Sequence, residues 1–194
     1  MPRSPRIHAA EVVHHVIMRG NNKQDIFRER FDFLKFGQLL QDSTLTHPLA
    51  LYNYALMTNH IHLLVETKKD GSLSKALRET TREYAKYFNK KYDHVGHVFQ
   101  GRFKSFVIDK ERYFFLCSRY IDLNPVKAGL VNEPEKYPWS GCQTLAFGRK
   151  SSISLDYHPL YEGLGNTPEE RQLSYQSIVR QSLMPNLDWE NKIR

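Results

Sequence analysis

Long hydrophobic runs are missing from these 194 residues, and no stretch approaches the roughly 18 uninterrupted apolar residues that a membrane-spanning helix needs. The opening Met1-Pro2-Arg3-Ser4-Pro5-Arg6-Ile7-His8 has no apolar signal core. The sequence therefore predicts a cytoplasmic protein with no membrane partner. Cysteine is nearly absent: Cys117 and Cys142 stand far apart with no CxxC spacing, which argues against a disulfide framework, a thiolate zinc site and dithiol redox chemistry. Both read as small buried residues. With only 10 Gly and 9 Pro, and no repeat or low-complexity run, the chain is neither fibrous nor disordered. What remains is 40% hydrophobic and 25% charged, enough for one respectable core. We expect a domain over residues 1–144 and an extension over 145–194 whose role the sequence leaves open.

The net charge of +7 is concentrated. Residues 68–119 carry thirteen Lys and Arg against six Asp and Glu, which accounts for the whole excess. A basic segment of this kind is the footprint of a polyanionic partner, or else a solvated surface.

Residues 11–19 (EVVHHVIMR) are rich in β-branched side chains and run into Gly20-Asn21-Asn22, which predicts a strand closed by a turn. Phe31, Leu34, Leu39 and Leu40, broadened by Phe33 and Phe36, predict a helix over 30–44. Strands at 50–57 and 61–67, joined at Thr58-Asn59, make a hairpin with His60 at the entrance of the second. Ser72 is the expected N-cap of a second helix reaching about Lys91, with Leu73, Leu77, Tyr84 and Phe88 inward. A short strand at 103–108 precedes a third helix from Lys110 to about Leu123, which Asn124-Pro125 is expected to stop or kink. Strand, helix, strand, strand, helix, strand is the order of an α+β, ferredoxin-like antiparallel sheet with both helices on one face. The third helix is an addition to that layer.

His60 and His62 lie two apart in a strand, so their imidazoles share a face and are able to converge on one metal, while Ile61 points the other way. Two ordinary hairpin histidines are the bland alternative. Among Tyr84, Tyr87, Tyr113 and Tyr120, the residues one helical turn on are Phe88, Lys91, Cys117 and Asn124. Only Tyr120 is paired with an oxygen-bearing side chain suited to a hard cation. His14, His15, His94 and His97 read as structural or loop residues.

Several strings occur in order: His14-His15-Val16-Ile17-Met18-Arg19-Gly20-Asn21-Asn22, Met57-Thr58-Asn59-His60-Ile61-His62-Leu63-Leu64-Val65, Gln100-Gly101-Arg102-Phe103-Lys104-Ser105, Arg119-Tyr120-Ile121-Asp122-Leu123-Asn124-Pro125-Val126-Lys127-Ala128-Gly129, and Tyr137-Pro138-Trp139-Ser140. Together they resemble the REP-associated tyrosine transposases of the single-tyrosine HUH family. The resemblance implies an RRM-like catalytic core, His60 and His62 as the HUH metal ligands, Tyr120 as nucleophile, and Asn124 in place of the polar ligand one turn after it. Thr58 stands where the family commonly has proline, and the chain after about Leu145 aligns with nothing.

The activity implied is cleavage and rejoining of single-stranded DNA at hairpins, with Mg²⁺ or Mn²⁺ and a 5′-phosphotyrosine. No Walker-type loop is present, in keeping with a reaction that keeps its bond energy in the covalent link. Lys75, Arg78, Arg82, Lys86 and Lys90 recur at three- and four-residue steps, a stripe suited to tracking a DNA backbone, and Arg102 and Lys104 beside Phe103 and Phe106 add charge and stacking. The alternative is a solvated face partly neutralised by Glu79 and Glu83. The resemblance also allows a homodimer that exchanges the tyrosine helix, and action at the nucleoid. Competing readings are a hairpin-binding module that does not cut, and a metal hydrolase, for which Glu66 is the one nearby carboxylate.

Overall fold

A computed structural model of the chain describes residues 9–109 and 111–181. Strands β1 (Val12–Arg19), β2 (Leu49–Leu56), β3 (His60–Thr67) and β4 (Lys104–Val107) form one antiparallel sheet in the order β2-β3-β1-β4. Helices α1 (Arg30–Thr46) and α2 (Ser72–Tyr92) pack together on one face, and α3 (Glu111–Lys127) lies against β2 and β3. This is the ferredoxin-like order, with the tyrosine-bearing helix added on the opposite face.

Strand periodicity decides which side chains meet which layer. Val16, Met18, Ile61, Leu63 and Val65 join Phe33, Phe36, Leu40, Leu73, Leu77, Tyr84 and Phe88 beneath α1 and α2. Leu64, Ala55 and Met57 face Phe114, Cys117 and Ile121 of α3. Residues Phe31 and Leu34, expected inside, are instead exposed, because α1 turns Phe33, Phe36, Gly37 and Leu40 to the sheet.

A bulge in β2 shifts its register between Leu51 and Asn53. The interruption leaves Asn53 aimed at α3, where its Nδ2 donates to Ser118 Oγ at 2.8 Å and Asp122 Oδ1 at 2.9 Å. Tyr175 of α6 (Pro168–Arg180) donates its hydroxyl to Asp122 Oδ2 at 2.6 Å. A buried network from two sides therefore fixes the register of α3.

Two local readings are corrected. Ser72 is not an N-cap: it is the first residue of α2, and the cap position is Gly71 at φ 72. The third helix does not stop at Asn124-Pro125 but runs to Lys127. Asn124 Nδ2 bonds the Tyr120 carbonyl at 2.7 Å, and the helix closes at Gly129 (φ 69), with Leu130 N donating to Pro125 O and Gly129 N to Val126 O at 2.9 Å each. These are the two bonds of a glycine-ended helix terminus, so the proline sits inside the last turn. The expected start at Lys110 lies outside the described residues. Residues 168–180, in the extension that the sequence leaves open, form a further helix. There α6 begins on a reciprocal cap between Thr167 and Glu170 with Pro168 at its first position.

The chain after α3 packs back onto the sheet. Helices α4 (Cys142–Phe147), α5 (Pro159–Glu162) and α6 bury Cys142, Leu145, Tyr161, Tyr175 and Val179 together. Ile153 is wholly buried against α1, where a Cβ at Gly37 would lie 2.8 Å from its side chain. Asp156 N donates to Leu51 O at 2.8 Å, and its carboxylate accepts Leu51 N at 2.9 Å, which covers part of the β2 edge. Both cysteines are buried and unbridged. Among the described residues no helix is long and apolar enough to cross a membrane.

Candidate active site

At the C-terminal end of β1, on the α3 side of the sheet, a cavity of about 510 Å³ is lined by Ile17, Arg19, His60, His62, Gln100, Arg102, Lys104, Tyr120 and Asn124. Two routes bring these residues together. His60 and His62 sit at alternate positions of β3 and reach it from the sheet, with ring centroids 5.0 Å apart and planes at 85°. Tyr120 and Asn124, one turn apart on α3, reach it from above, and the Tyr120 ring centroid lies 5.6 Å from that of His62. Ile61, between the histidines, is fully buried in the opposite layer.

Both imidazoles are held by one ring nitrogen. His60 Nδ1 pairs with Asn59 Oδ1 at 2.7 Å, and His62 Nδ1 with His15 Nε2 at 3.0 Å. Each bond leaves the Nε2 atom on the far side of the ring, the arrangement that characterises metal-ligating histidine. Burial, with a smaller push from the Arg19 guanidinium, lowers the His60 pKa to about 4. Burial lowers that of His62 well below the ordinary imidazole value, helped by His15, His60 and Arg19. Both rings are neutral near pH 7, the state in which imidazole donates a lone pair.

The Asn124 amide gives its Nδ2 to the Tyr120 carbonyl, which leaves Oδ1, the atom a hard cation takes, outside that bond. Among the described residues no three His, Cys, Asp or Glu side chains gather as a metal site. Were an ion held by the two histidines, a third protein ligand would be of another kind, and the cavity offers the amides of Asn124 and Gln100. The donor set of two neutral histidines and an amide oxygen fits Mg²⁺ or Mn²⁺.

His15 is the residue that sequence reasoning missed. Fully buried on β1, it stacks on His62 with centroids 5.2 Å apart and meets the Tyr120 ring edge-on at 5.8 Å. Its parity on β1 puts it on the face of Ile17 and Arg19, but the contact with His62 depends on the β1–β3 register, which local spacing does not carry. His14 points into the other layer, and His94 and His97 lie in the loop after α2, outside the cavity. Lys127 Nζ sits 4.9 Å from the centroid of the Tyr120 ring.

The basic residues divide. Arg102 and Lys104 line the cavity itself, and Lys75 and Arg78 lie at the near end of α2, beside it. Arg82 and Lys86 are farther along, and both bond the Glu83 carboxylate. Lys90, near the far end, is exposed. A larger cavity, about 720 Å³, opens between α3 and α6 but has no histidine or tyrosine in its walls.

The family model described as "Transposase IS200 like" matches residues 9–124. Among solved structures, the chain is similar to a REP-associated tyrosine transposase bound to a REP hairpin, with TM-score 0.64 and 18% identity over 80% of this chain and 92% of that one. It is also similar to a structure described as a candidate transposase from Deinococcus radiodurans, with TM-score 0.42 and 15% identity over 62% of this chain and 96% of that one. No curated protein matches the sequence.

Proposed function

The chain belongs to the IS200-like transposase family, and from that premise we propose that it cleaves and rejoins single-stranded DNA at hairpin sites through a covalent bond to Tyr120. The observation that carries the reading is the meeting of His60, His62, Tyr120 and Asn124 of one chain in one cavity rimmed by Arg19, Arg102 and Lys104. The solved relative bound to a REP hairpin supports the hairpin as substrate. Such chemistry belongs in the cytoplasm, at the nucleoid.

The scissile phosphate enters between Tyr120 and the histidine pair, where the Arg and Lys side chains offset its charge. His60, His62 and Asn124 would hold a divalent ion, which when bound would supply Lewis-acid polarisation of the phosphate. Phenol is a weak nucleophile, with a pKa of about 10, so position and charge must carry the attack. The edge-on contacts with His15 and His62 hold the ring of Tyr120, and the Lys127 ammonium lies over the face of that ring, where its charge favours the phenolate over the phenol. Attack in line with the 3′-oxygen breaks that P–O bond, forms the phosphotyrosine and releases a 3′-hydroxyl. Return of a 3′-hydroxyl along the same path rejoins a strand without ATP.

The test is incubation with labelled single-stranded hairpin oligonucleotides and Mn²⁺, followed by denaturing electrophoresis. A covalent protein–DNA band with a free 3′-hydroxyl product is expected. Binding without any adduct would replace this reading with that of a hairpin-binding module, and cleavage without adduct with that of a hydrolase using water.

A further inference from the structure

Tyr120 meets His62 only while α3 keeps one rotation about its own axis. Apolar contact sets that rotation loosely: Phe114, Cys117 and Ile121 pack with Ala55, Met57 and Leu64, and such contacts are non-directional. Hydrogen bonds are directional, and the fully buried Asn53 and Asp122 join Ser118 and Tyr175 in a ring of them around α3. Its hydrogens run one way. Asn53 Oδ1 accepts Tyr54 N at 2.8 Å, so Nδ2 is the end that donates to Ser118 Oγ and Asp122 Oδ1. Tyr175 gives its hydrogen to Asp122 Oδ2, so the Ser118 hydroxyl donates to the Tyr175 oxygen at 2.6 Å. A Cβ at Gly141 would overlap Asn53 Oδ1, so the glycine lets the chain close over the amide. At about 3.6 residues per turn, Ser118 and Asp122 lie on the flank of α3 away from Tyr120 and Asn124, and the ring grips the helix from behind the site. A second grip is next to the tyrosine, where Arg119 donates Nε to Val179 O at 3.3 Å and Nη2 to Gln181 O at the end of α6.

We propose that α6 is a brace for the tyrosine helix and that Tyr175 is a positioning residue for strand cleavage, acting through α3 on Tyr120 and Asn124. The inference rests on the proposed strand-cleaving function. Tyr175 lies beyond residues 9–124, which the family model matches, so the C-terminal extension gains a part in the chemistry that the matched core does not supply. None of the four ring residues lines the active-site cavity, so the ring acts on where the tyrosine oxygen stands and not on how the strand is held. Removing the Tyr175 hydroxyl opens the ring on its α6 side and frees α3 to turn. A displacement of about 1 Å at a reacting group is enough to cost about 100-fold in rate.

The test is single-turnover adduct formation against hairpin concentration, with Mn²⁺, on the full-length wild type, Tyr175→Phe, Ser118→Ala, the double variant and Tyr161→Phe. The last is the control, because the Tyr161 hydroxyl is also buried in the extension but donates to Leu145 O at 2.7 Å, away from α3. Folded Tyr175→Phe and Ser118→Ala should form adduct about 10- to 100-fold more slowly at saturation, with the half-saturating hairpin concentration unchanged. The double variant should be no slower than the slower single one, since both open one ring. Tyr161→Phe should lose thermal stability and keep the wild-type rate. Ser118→Ala opens the ring from the α3 side and decides the question alone where Tyr175→Phe does not fold. A wild-type rate in both folded ring variants, or an equal slowing in Tyr161→Phe, overturns the brace and leaves the strand-cleaving reading standing. Wild type that forms no adduct overturns both.

Discussion

Two of the polar clusters buried among the described residues are built on opposite plans. Around Asp32, at the start of α1, both carboxylate oxygens are taken: Oδ1 accepts from the Tyr87 hydroxyl at 2.8 Å and Lys91 Nζ at 2.6 Å, and Oδ2 from the amides of Arg28 and Glu29 at 2.8 and 3.1 Å and the Tyr92 hydroxyl at 2.6 Å. Around His62, His60 and His62 are each tied at Nδ1 and line a cavity. A saturated cluster stabilises by its own bonds and has nothing left to offer a ligand. A cluster held on one side is pre-organised for something that is not protein. The first pins α1 to the C-terminal end of α2, and the second joins β3 to α3.

The comparison is broken most severely at Tyr120. Tyr120→Phe removes one oxygen and should lower strand cleavage by about three orders of magnitude or more, as loss of a nucleophile does, with hairpin affinity and thermal stability near wild type. Tyr84→Phe and Tyr87→Phe should leave the cleavage rate of folded protein unchanged, because their hydroxyls bond Ile26 O and Asp32. Adduct formation on a denaturing gel reads the difference, and undiminished adduct with Tyr120→Phe would remove the nucleophile from the scheme.

A graded loss is expected at the histidines. His60→Ala or His62→Ala should weaken Mn²⁺ binding, measured calorimetrically, by roughly 100-fold or more, and His15→Ala by about 10-fold through loss of the bond that orients His62. His94→Ala and His97→Ala should change neither metal binding nor cleavage. Equal affinities across all five variants would mean that the one-sided bonds serve the fold alone.

How far the sequence reveals this site follows from the range of the interactions involved. His60, Ile61 and His62 are legible because strand alternation is local, and Tyr120 with Asn124 because a helical turn is local. His15 is not, since its bond to His62 crosses two strands whose register is set by the whole sheet. Helix α6 has a legible start in Thr167-Pro168-Glu169-Glu170, but only Tyr175 and Val179 of its thirteen residues are buried, too few to show a period. Helix α3 runs past Asn124-Pro125 because the preference of residues before proline is weaker here than a terminus closed by Gly129 and a carbonyl held by the Asn124 side chain.

At the saturated cluster the expected effect falls on stability. Burial alone would raise the Asp32 pKa, but hydrogen bonds from Lys91, Tyr92, the Arg28 amide and Tyr87 overcome it and hold the group at about 2. A carboxyl depressed in the folded state stabilises above its unfolded pKa of about 4, and that contribution, about 2 kcal/mol, is lost as pH falls from 4 to 2. Asp32→Ala should cost about 3 kcal/mol by leaving Lys91 and two hydroxyls without their acceptor, with a lower melting temperature and weaker pH dependence below 4. Cleavage by the folded fraction at pH 7 should persist, and its loss would show that the two clusters are coupled.

The smallest effect separates the cations along α2. Each phosphate contact removed from a DNA-binding protein lowers the salt dependence of binding by about one counterion. Lys75 and Arg78 stand beside the active-site end of the helix, whereas Arg82 and Lys86 both bond Glu83, so their charge is already partly offset. Lys75→Ala and Arg78→Ala should each flatten the slope of log affinity against log salt by about one, and Arg82→Ala and Lys86→Ala by clearly less. Because contacts to the backbone position a strand without reading it, all four variants should keep the wild-type preference for a hairpin flank over a scrambled one. The measurement is a salt titration of affinity on both oligonucleotides. Equal slopes in wild type and the Lys75 and Arg78 variants would reduce that end of the stripe to a solvated face. An equal drop at Arg82 would mean instead that Glu83 gives up its partners when DNA arrives, and that the strand follows the helix beyond its first two turns.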